Sequence, residues 1–429
     1  MRIGLVHRLA LVALGTLAGC ARRNVCPYAP GAADRPYTEF TGSAAERLPF
    51  VPDLAAAQSL AAVEQSFARD PRDKNYRLLR ADEVQCLAAA NSSVAHLCEL
   101  ESQSIAAAAG CQQAAPCLTS LQQDVLAIRA VDERNRAAGA ALNMYFQLAE
   151  SEASDDLLDR SLTLVEHTAS NLRQLQNEGL KVPVDPSAWV RQRIEMLDQR
   201  AQLRLGVRQL NEQLSVLLRL DPVVVTRIWP AADLGVTGDP INMEQAVLIG
   251  LETRADLCLI RVLHDRLDAN TVPAARQGLQ LSDAALGLPA PASFLLRRML
   301  HGDTSACEAD ARRTQLTELL ADREQAAAAE IRQAVYTVET RLQQIALARE
   351  TLSSWRQRSD ELRQRRAVGT ATPFELSTAD LEAVRAENNV LHQVVAWRIA
   401  IAKLKESQGL LAGECGFFAP CRHPGPILP

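Results

Sequence analysis

The chain has 429 residues, a formal charge of -5, 48% hydrophobic and only 4% aromatic content, enough apolar material for a large core. Lys and Arg are mixed among Asp and Glu, which leaves no basic face for nucleic acid. The scarcity of aromatics argues against a porin-like barrel with aromatic girdles, and Ala-rich runs favour packed helices.

Arg2 and Arg8 precede an apolar run, Leu9 to Leu17, too short to span a bilayer, and Leu17-Ala18-Gly19-Cys20 follows. This resembles a bacterial lipobox, in which cleavage leaves Cys20 as the lipid-bearing first residue. The alternative is an ordinary signal peptide that ends at Cys. Either leader places the protein outside the cytoplasm, and its loss takes the charge from -5 to -7, because residues 1–19 hold two Arg. The segment 20–53, with Pro27, Pro30, Pro36, Pro49 and Pro52, reads as an extended tether. A short helix is expected from Leu54 to Ala68.

From Leu79 a helix is expected to about Ala108, then a turn around Gly110 to Pro116. A very long helix follows to Glu178, with Leu158, Leu162, Val165, Ala169 and Leu172 on one stripe. Reversal at Gly179 to Pro186 leads to a return helix, Ser187 to Leu218, with Leu203, Leu210, Leu214 and Leu217 on one side. The linker 222–240 holds Val223-Val224-Val225 and could add a short strand.

The plan then repeats. Leu79, Leu87, Asn91 and Val94 match Ile241, Ile249, Thr253 and Asp256 at one constant offset of 162 positions, which suggests duplication. Leu79 to Gly179 spans 100 positions and Ile241 to Gly369 spans 128. The 28 extra lie between Thr271 and Ala311, a stretch without period-two alternation that reads as a loop or short helix. Val335, Val338, Leu342, Ile345 and Leu352 stripe the second long helix. Gly369 tolerates the left-handed backbone of a reversal, Thr372 can cap the next helix and Pro373 can open it. Leu381, Val384, Leu391, Val395, Ile401 and Leu404 stripe the return. The expected fold class is therefore all-α: long antiparallel coiled-coil helices in two repeats, 54–221 and 241–411, followed by a C-terminal tail, 412–429.

Cys20 is reserved by the leader, leaving nine of the 10 Cys for an oxidising compartment. Cys111 with Cys117, and Cys415 with Cys421, are each six apart beside Pro residues and are candidate local disulfides. Cys86 and Cys98 on one helix would lie about 18 Å apart and cannot pair. No CxxC or HExxH spacing and no nucleophile motif occurs, and the histidines are scattered. These patterns imply no metal, no cofactor and no enzyme.

With this layout the chain resembles the TolC family of outer-membrane efflux and secretion ducts. The residues that carry the resemblance are Arg366 to Glu375, Gln209-Leu210-Asn211 with Leu214 and Leu217 to Pro222, and Ala246 to Leu257. The resemblance implies a homotrimer whose helices form a hollow α-barrel across the periplasm, tethered to outer-membrane lipid through Cys20. It also implies tips, at Gly179 and at Arg366, Gly369 and Thr372, that meet a periplasmic adaptor protein of an inner-membrane pump. Glu375 falls where the family often has an acid lining the pore entrance. It reads equally as a first-turn acid favoured by the helix dipole. The family's outer-membrane β-strands sit between the first and second long helices of each half. Here Ala106 to Leu118 is too short for two spanning strands of about 9–11 residues each, and the second connection lacks alternation, so little or no β-barrel is expected. Two functions stay open: a conducting duct of a tripartite efflux or type I secretion system, and a non-conducting, lipid-anchored coiled-coil scaffold of the envelope.

Overall fold

A computed structural model describes residues 76–111, 116–178, 186–221, 227–236, 240–282, 286–288 and 305–421. The expected leader, Cys20, the tether and the helix at Leu54 to Ala68 lie outside the described residues, as does Gly179. In chain order the elements of the first half are β1 (Tyr76–Leu79), α1 (Ala81–Ala90), α2 (Ser93–Cys111), α3 (Pro116–Asn177) and α4 (Pro186–Leu218). β2 (Arg227–Pro230) leads into the second half: α5 (Met243–Thr253), α6 (Ala255–Asp265), α7 (Val272–Ser282), α8 (Ser305–Ala367), α9 (Pro373–Ser407) and α10 (Leu411–Glu414). α3 and α8 have 62 and 63 residues, each about 90 Å long at 1.5 Å per residue.

The long pairs α3–α4 and α8–α9 are antiparallel hairpins, and α3 also packs against α9. The apolar stripes account for this: Val335, Val338, Ile345 and Leu352 are buried with Leu391 and Val395 in one cluster that also takes in Tyr145, Leu148 and Leu157 of α3. The expected all-α architecture is what the chain adopts. β1 and β2 form a parallel two-stranded sheet, with Tyr76 opposite Arg227 and Leu79 opposite Pro230, so the linker does supply a strand. Buried Asn211 of α4 accepts the Ile228 N–H at 2.8 Å, which ties that strand to the first hairpin.

Each expected opening helix is in fact two. α1 stops at Ala90, capped by Asn91, and α2 starts at Ser93, while α5 stops at Thr253 and α6 starts at Ala255. The breaks are 162 positions apart and do the same work. Asn91 donates to the Leu218 carbonyl at 2.8 Å, and Thr253 donates to the Gln408 carbonyl. A side chain at the break thus satisfies a carbonyl at the end of the return helix, one of those a helix cannot bond internally. The first pair is 127 residues apart and the second 155, so the second closes over 28 more, the surplus counted in the sequence. At the second break Arg254 leaves the helical region (φ -63°, ψ 128°) and donates to Asp256, Glu330 and the Ser407 carbonyl at 2.7–3.0 Å. Burial alone would raise the Asp256 carboxyl, but Arg254 and the Leu257 N–H hold it below the ordinary range.

The return helices end alike as well. Arg219 (φ 51°) and Gly409 (φ 75°) take the left-handed conformation, and the next residue bonds back to Ser215 and to Lys405 respectively, as in a Schellman cap. At Gly409 the turn suits the residue, and a Cβ would also sit 3.1 Å from the Arg254 Cα. At Arg219 it costs on the order of 1 kcal/mol. Arg219→Gly is therefore expected to raise stability by about 1 kcal/mol, read as a higher urea midpoint; a lower midpoint would show that the Arg side chain matters more than its backbone.

The outer ends carry no strand among the described residues. α2 is helical to Cys111 and α3 from Pro116, which leaves four positions between them. In the second connection α7 is the expected short helix, packed through Ala275 and Leu279 on Leu263 and Leu316; 289–304 lies outside the described residues. Among the described residues no helix is long and apolar enough to cross a membrane.

The expected pairing of Cys415 with Cys421 is not formed. Cys415 is bonded to Cys86 of α1 and Cys421 to Cys258 of α6, because the chain past Leu411, read from sequence as a tail, packs back on α1 and α3. The cysteines were near in sequence, but nearer still in space were two others. The side chains of Cys111 and Cys117 lie outside the described residues. Cys98 is free and does not pair with Cys86, in keeping with their spacing.

Candidate functional site

The second hairpin's tip is built by two caps facing each other across five residues. α8 ends when Gly369 turns left-handed (φ 76°), and the Gly369 and Thr370 N–H groups bond back to the Arg366 and Arg365 carbonyls at 3.0 and 2.8 Å. A Cβ on Gly369 would meet nothing within 4 Å, so glycine is needed for its torsion, not for space. The Arg365 side chain holds the loop by donating to the Thr370 carbonyl at 3.2 Å.

α9 opens on Thr372 with Pro373 in its first turn. The Thr372 hydroxyl accepts the Glu375 N–H at 3.2 Å and donates to the Glu375 carboxylate at 2.9 Å, which also accepts the Thr372 N–H at 2.8 Å. This is a complete capping box. The bonds from the Thr372 backbone and hydroxyl, aided by the charges of Arg365 and Arg358, lower the Glu375 pKa. Glu375 is thus a charged, fully exposed acid at the tip whose carboxylate is engaged with its own helix start.

Arg366, Gly369, Thr372 and Glu375 lie together at the α8–α9 reversal. Val368 stands at the apex 74% exposed, and among the described residues Arg366 makes no ion pair, so the apex offers one apolar and one cationic side chain to a partner. Beneath it Leu362, Leu376 and Ala379 form a small core with Ala371.

Sequence reasoning missed the device that joins the two hairpins near their tips. Trp189, at the start of α4, meets Phe374, at the start of α9, edge to face with centroids 5.7 Å apart. Such a pair is a specific contact beyond its buried area. The signal was present as an aromatic in the first turn of each return helix. Also missed was a buried acid on the shaft: Glu387 of α9 takes Arg160 of α3 at 2.7 Å and Arg356 of α8 at 3.8 Å. An open groove of about 570 Å³ runs beside it, lined by Arg160, Arg356, Arg363 and Asp380. Among the described residues no cluster of three or more His, Cys, Asp or Glu could hold a metal ion.

No protein-family model matches the sequence, and no curated protein matches it. Solved structures do. The chain is similar to the Campylobacter jejuni CmeC outer membrane channel, with 12% identity, 83% of this chain and 92% of that one covered, and a TM-score of 0.56. It is similar to a membrane protein from Pseudomonas aeruginosa (13% identity, 78% and 91% covered, TM-score 0.57) and to the open state of the Neisseria gonorrhoeae MtrE outer membrane channel (12%, 77% and 89%, 0.56). At such identities the likeness speaks for the fold.

Proposed function

We propose that this chain, which has the fold of TolC-type outer-membrane efflux channels, is the duct component of a tripartite efflux or type I secretion system. It works as a homotrimer in the cell envelope, is held to the outer membrane by lipid on Cys20, and is a passive conduit with no catalytic step. The tips at Gly179 and at Arg366, Gly369 and Thr372 receive a periplasmic adaptor, through which an inner-membrane pump delivers its cargo. Glu375 stands at the entrance and favours cations. The observation that carries this reading is the intact α8–α9 reversal on a fold shared along about nine tenths of the neighbouring channels.

The test is a density map of the purified, lipidated protein. A hollow ring of helices is expected, and a solid bundle would sink the duct. Gly369→Val puts a β-branched residue where φ is 76°, a conformation that costs L residues on the order of 1–2 kcal/mol or more. Adaptor recovered by cross-linking in cells should fall at least fivefold while helix content stays. Normal recovery would take the docking role away from this tip. Cys20→Ala should move the protein from the membrane fraction to the soluble periplasm, and continued retention in the membrane fraction would show that something other than lipid anchors it.

A second reading draws on the four positions between α2 and α3, which cannot hold two strands of about 9–11 residues. In it the protein is a non-conducting, lipid-anchored scaffold. A ring closed at its outer end would favour that reading.

A further inference from the structure

The two bridges of the folded chain join cysteines that stand far apart, and each of the four has a nearer rival. Cys86 pairs with Cys415 across 329 positions, yet Cys98 follows it by only 12. Cys258 pairs with Cys421 across 163 positions, yet Cys307 follows it by 49. Cys415 and Cys421 are six apart but are bonded to two different helices, α1 and α6. Before the helices form, the chance that two residues meet falls as about the three-halves power of the loop between them. Cys98 is then favoured over Cys415 by roughly a hundredfold, and Cys307 over Cys421 by roughly sixfold. The rivals also come first. A chain exported from its N-terminus presents Cys86, Cys98, Cys258 and Cys307 before Cys415 and Cys421, the last two of its 10 cysteines.

The fold delays the native pairs further. The segment after Leu411 reaches elements of both halves. Gln85 of α1 donates to the Leu411 carbonyl at 3.0 Å, and Asn135 of α3 accepts the Leu411 N–H at 3.0 Å. Ala419 then packs with Ile128, Ala255 and Cys258. α1 and α6 must therefore both lie on α3 before the two bridges close. A wrong bond made earlier is not repaired afterwards from within. Cys258 is 2% exposed in the closed core, out of reach of an attacking thiol, and burial raises the Cys98 thiol, which leaves it little thiolate for exchange.

We propose that the exported chain is a substrate of a thiol-disulfide isomerase, a dithiol protein of the same compartment, which acts on it before the segment 411–421 docks. The inference rests on the reading that places the chain in the cell envelope, outside the cytoplasm. Starting from Cys86–Cys98 and Cys415–Cys421, the exchange closes without a net oxidant. The isomerase thiolate attacks the Cys86 Sγ, the S–S bond breaks, and Cys98 leaves as a thiolate that takes a proton from solvent. Cys258, having lost its proton to solvent, attacks the Cys421 Sγ, which forms one native bridge and expels the Cys415 thiolate. Cys415 then attacks the mixed disulfide at the Cys86 Sγ, forming the second native bridge and returning the isomerase thiolate. Two disulfides and one thiol of the chain become two disulfides and one thiol, so nothing is oxidised or reduced overall. The thiol left over is Cys98, and the structure holds it free, as it does Cys307.

The test follows the full-length chain in cells that carry or lack their periplasmic disulfide isomerase. The chain is pulse-labelled and quenched in acid at intervals, its free thiols are blocked in denaturant, and the linked peptides are identified by mass. Peptides joined through Cys415–Cys421 or Cys86–Cys98 should precede the native pairs. Without the isomerase the fraction holding both native bridges should fall by about sixfold or more, the bias against Cys421 alone. An isomerase whose resolving cysteine is changed to alanine should hold the chain as a mixed disulfide that reductant releases. Cys98→Ser with Cys307→Ser removes two rivals and should raise the native fraction in cells that lack the isomerase. An equal native fraction with and without the isomerase, and no trapped adduct, would overturn the inference and leave the duct reading standing. So would four reactive thiols at Cys86, Cys258, Cys415 and Cys421 in a chain whose leader has been removed. If those thiols stay reactive and the leader stays on, the chain has not left the cytoplasm and both readings fall.

Discussion

The double substitution Cys86→Ser with Cys415→Ser is expected to lower the stability of the folded chain by about 2–5 kcal/mol. The bridge joins α1 to the residue after α10 across 329 positions, with Cα atoms 5.2 Å apart, so it closes almost the whole described chain in the unfolded state. Loop entropy grows only logarithmically. The second bridge, Cys258–Cys421, spans 163 positions, and the doubling between them adds about 0.6 kcal/mol. The local hydrogen bonds do not substitute for the bridge. Gln85 donates to the Leu411 carbonyl at 3.0 Å and to Glu414 at 2.8 Å, and Lys405 pairs with Glu414 at 2.7 Å. These fix the geometry of the folded state and leave the unfolded chain unconstrained. Thermal unfolding followed by helix content reads the effect. The variant should melt well below the wild type, and a thiol reductant should bring the wild type down at least as far, since it opens the second bridge too. An unchanged midpoint in both experiments would mean that the C-terminal segment is held by packing alone.

Arg160→Ala is expected to cost about 2–4 kcal/mol, more than its half-exposed position suggests. Its partner Glu387 is buried between α3, α8 and α9. Without Arg160 that carboxylate keeps, among the described residues, only Arg356 as an ion-pair partner, at 3.8 Å, and a buried charge that loses its close partner bears its desolvation cost nearly alone. Replacing both members, Arg160→Leu with Glu387→Leu, should restore much of the loss, because two apolar side chains in a coiled-coil seam need no partner. Urea midpoints of the two variants decide it. A single substitution within about 0.5 kcal/mol of the wild type would show that Arg356 suffices, and a double variant worse than the single would show that the seam needs the ion pair for its register.

Much of the fold was legible because helices this long repeat their signal many times. The stripe through Val335, Val338 and Leu352 has only one burying solution, a second helix laid antiparallel after the Gly369 turn, and that turn is made by residues adjacent in sequence. The same locality made the tip readable, since a Schellman turn and a Thr372–Glu375 capping box are decided within about ten residues. The breaks at Asn91 and Arg254 were not legible. Neither residue is a helix breaker, and each break is stabilised by a carbonyl 127 or 155 positions away. The burial of Glu387 was not legible for a similar reason, because it depends on α3 arriving from the other half.

The sequence by itself therefore determined what depends on neighbours within a few turns: helix type, the extent of the two long hairpins, the reversal at Gly369 and the 28-residue surplus of the second half. Only the tertiary structure decided what depends on residues far apart in the chain. It paired Cys415 with Cys86 and Cys421 with Cys258, packed α3 against α9, and joined the hairpins through Trp189 and Phe374. The physical reason is that periodicity tells a helix which face must be buried but not against which partner. That choice is made by the length of the connections, by single polar groups that each satisfy one distant carbonyl, and by which faces remain when the chain runs out.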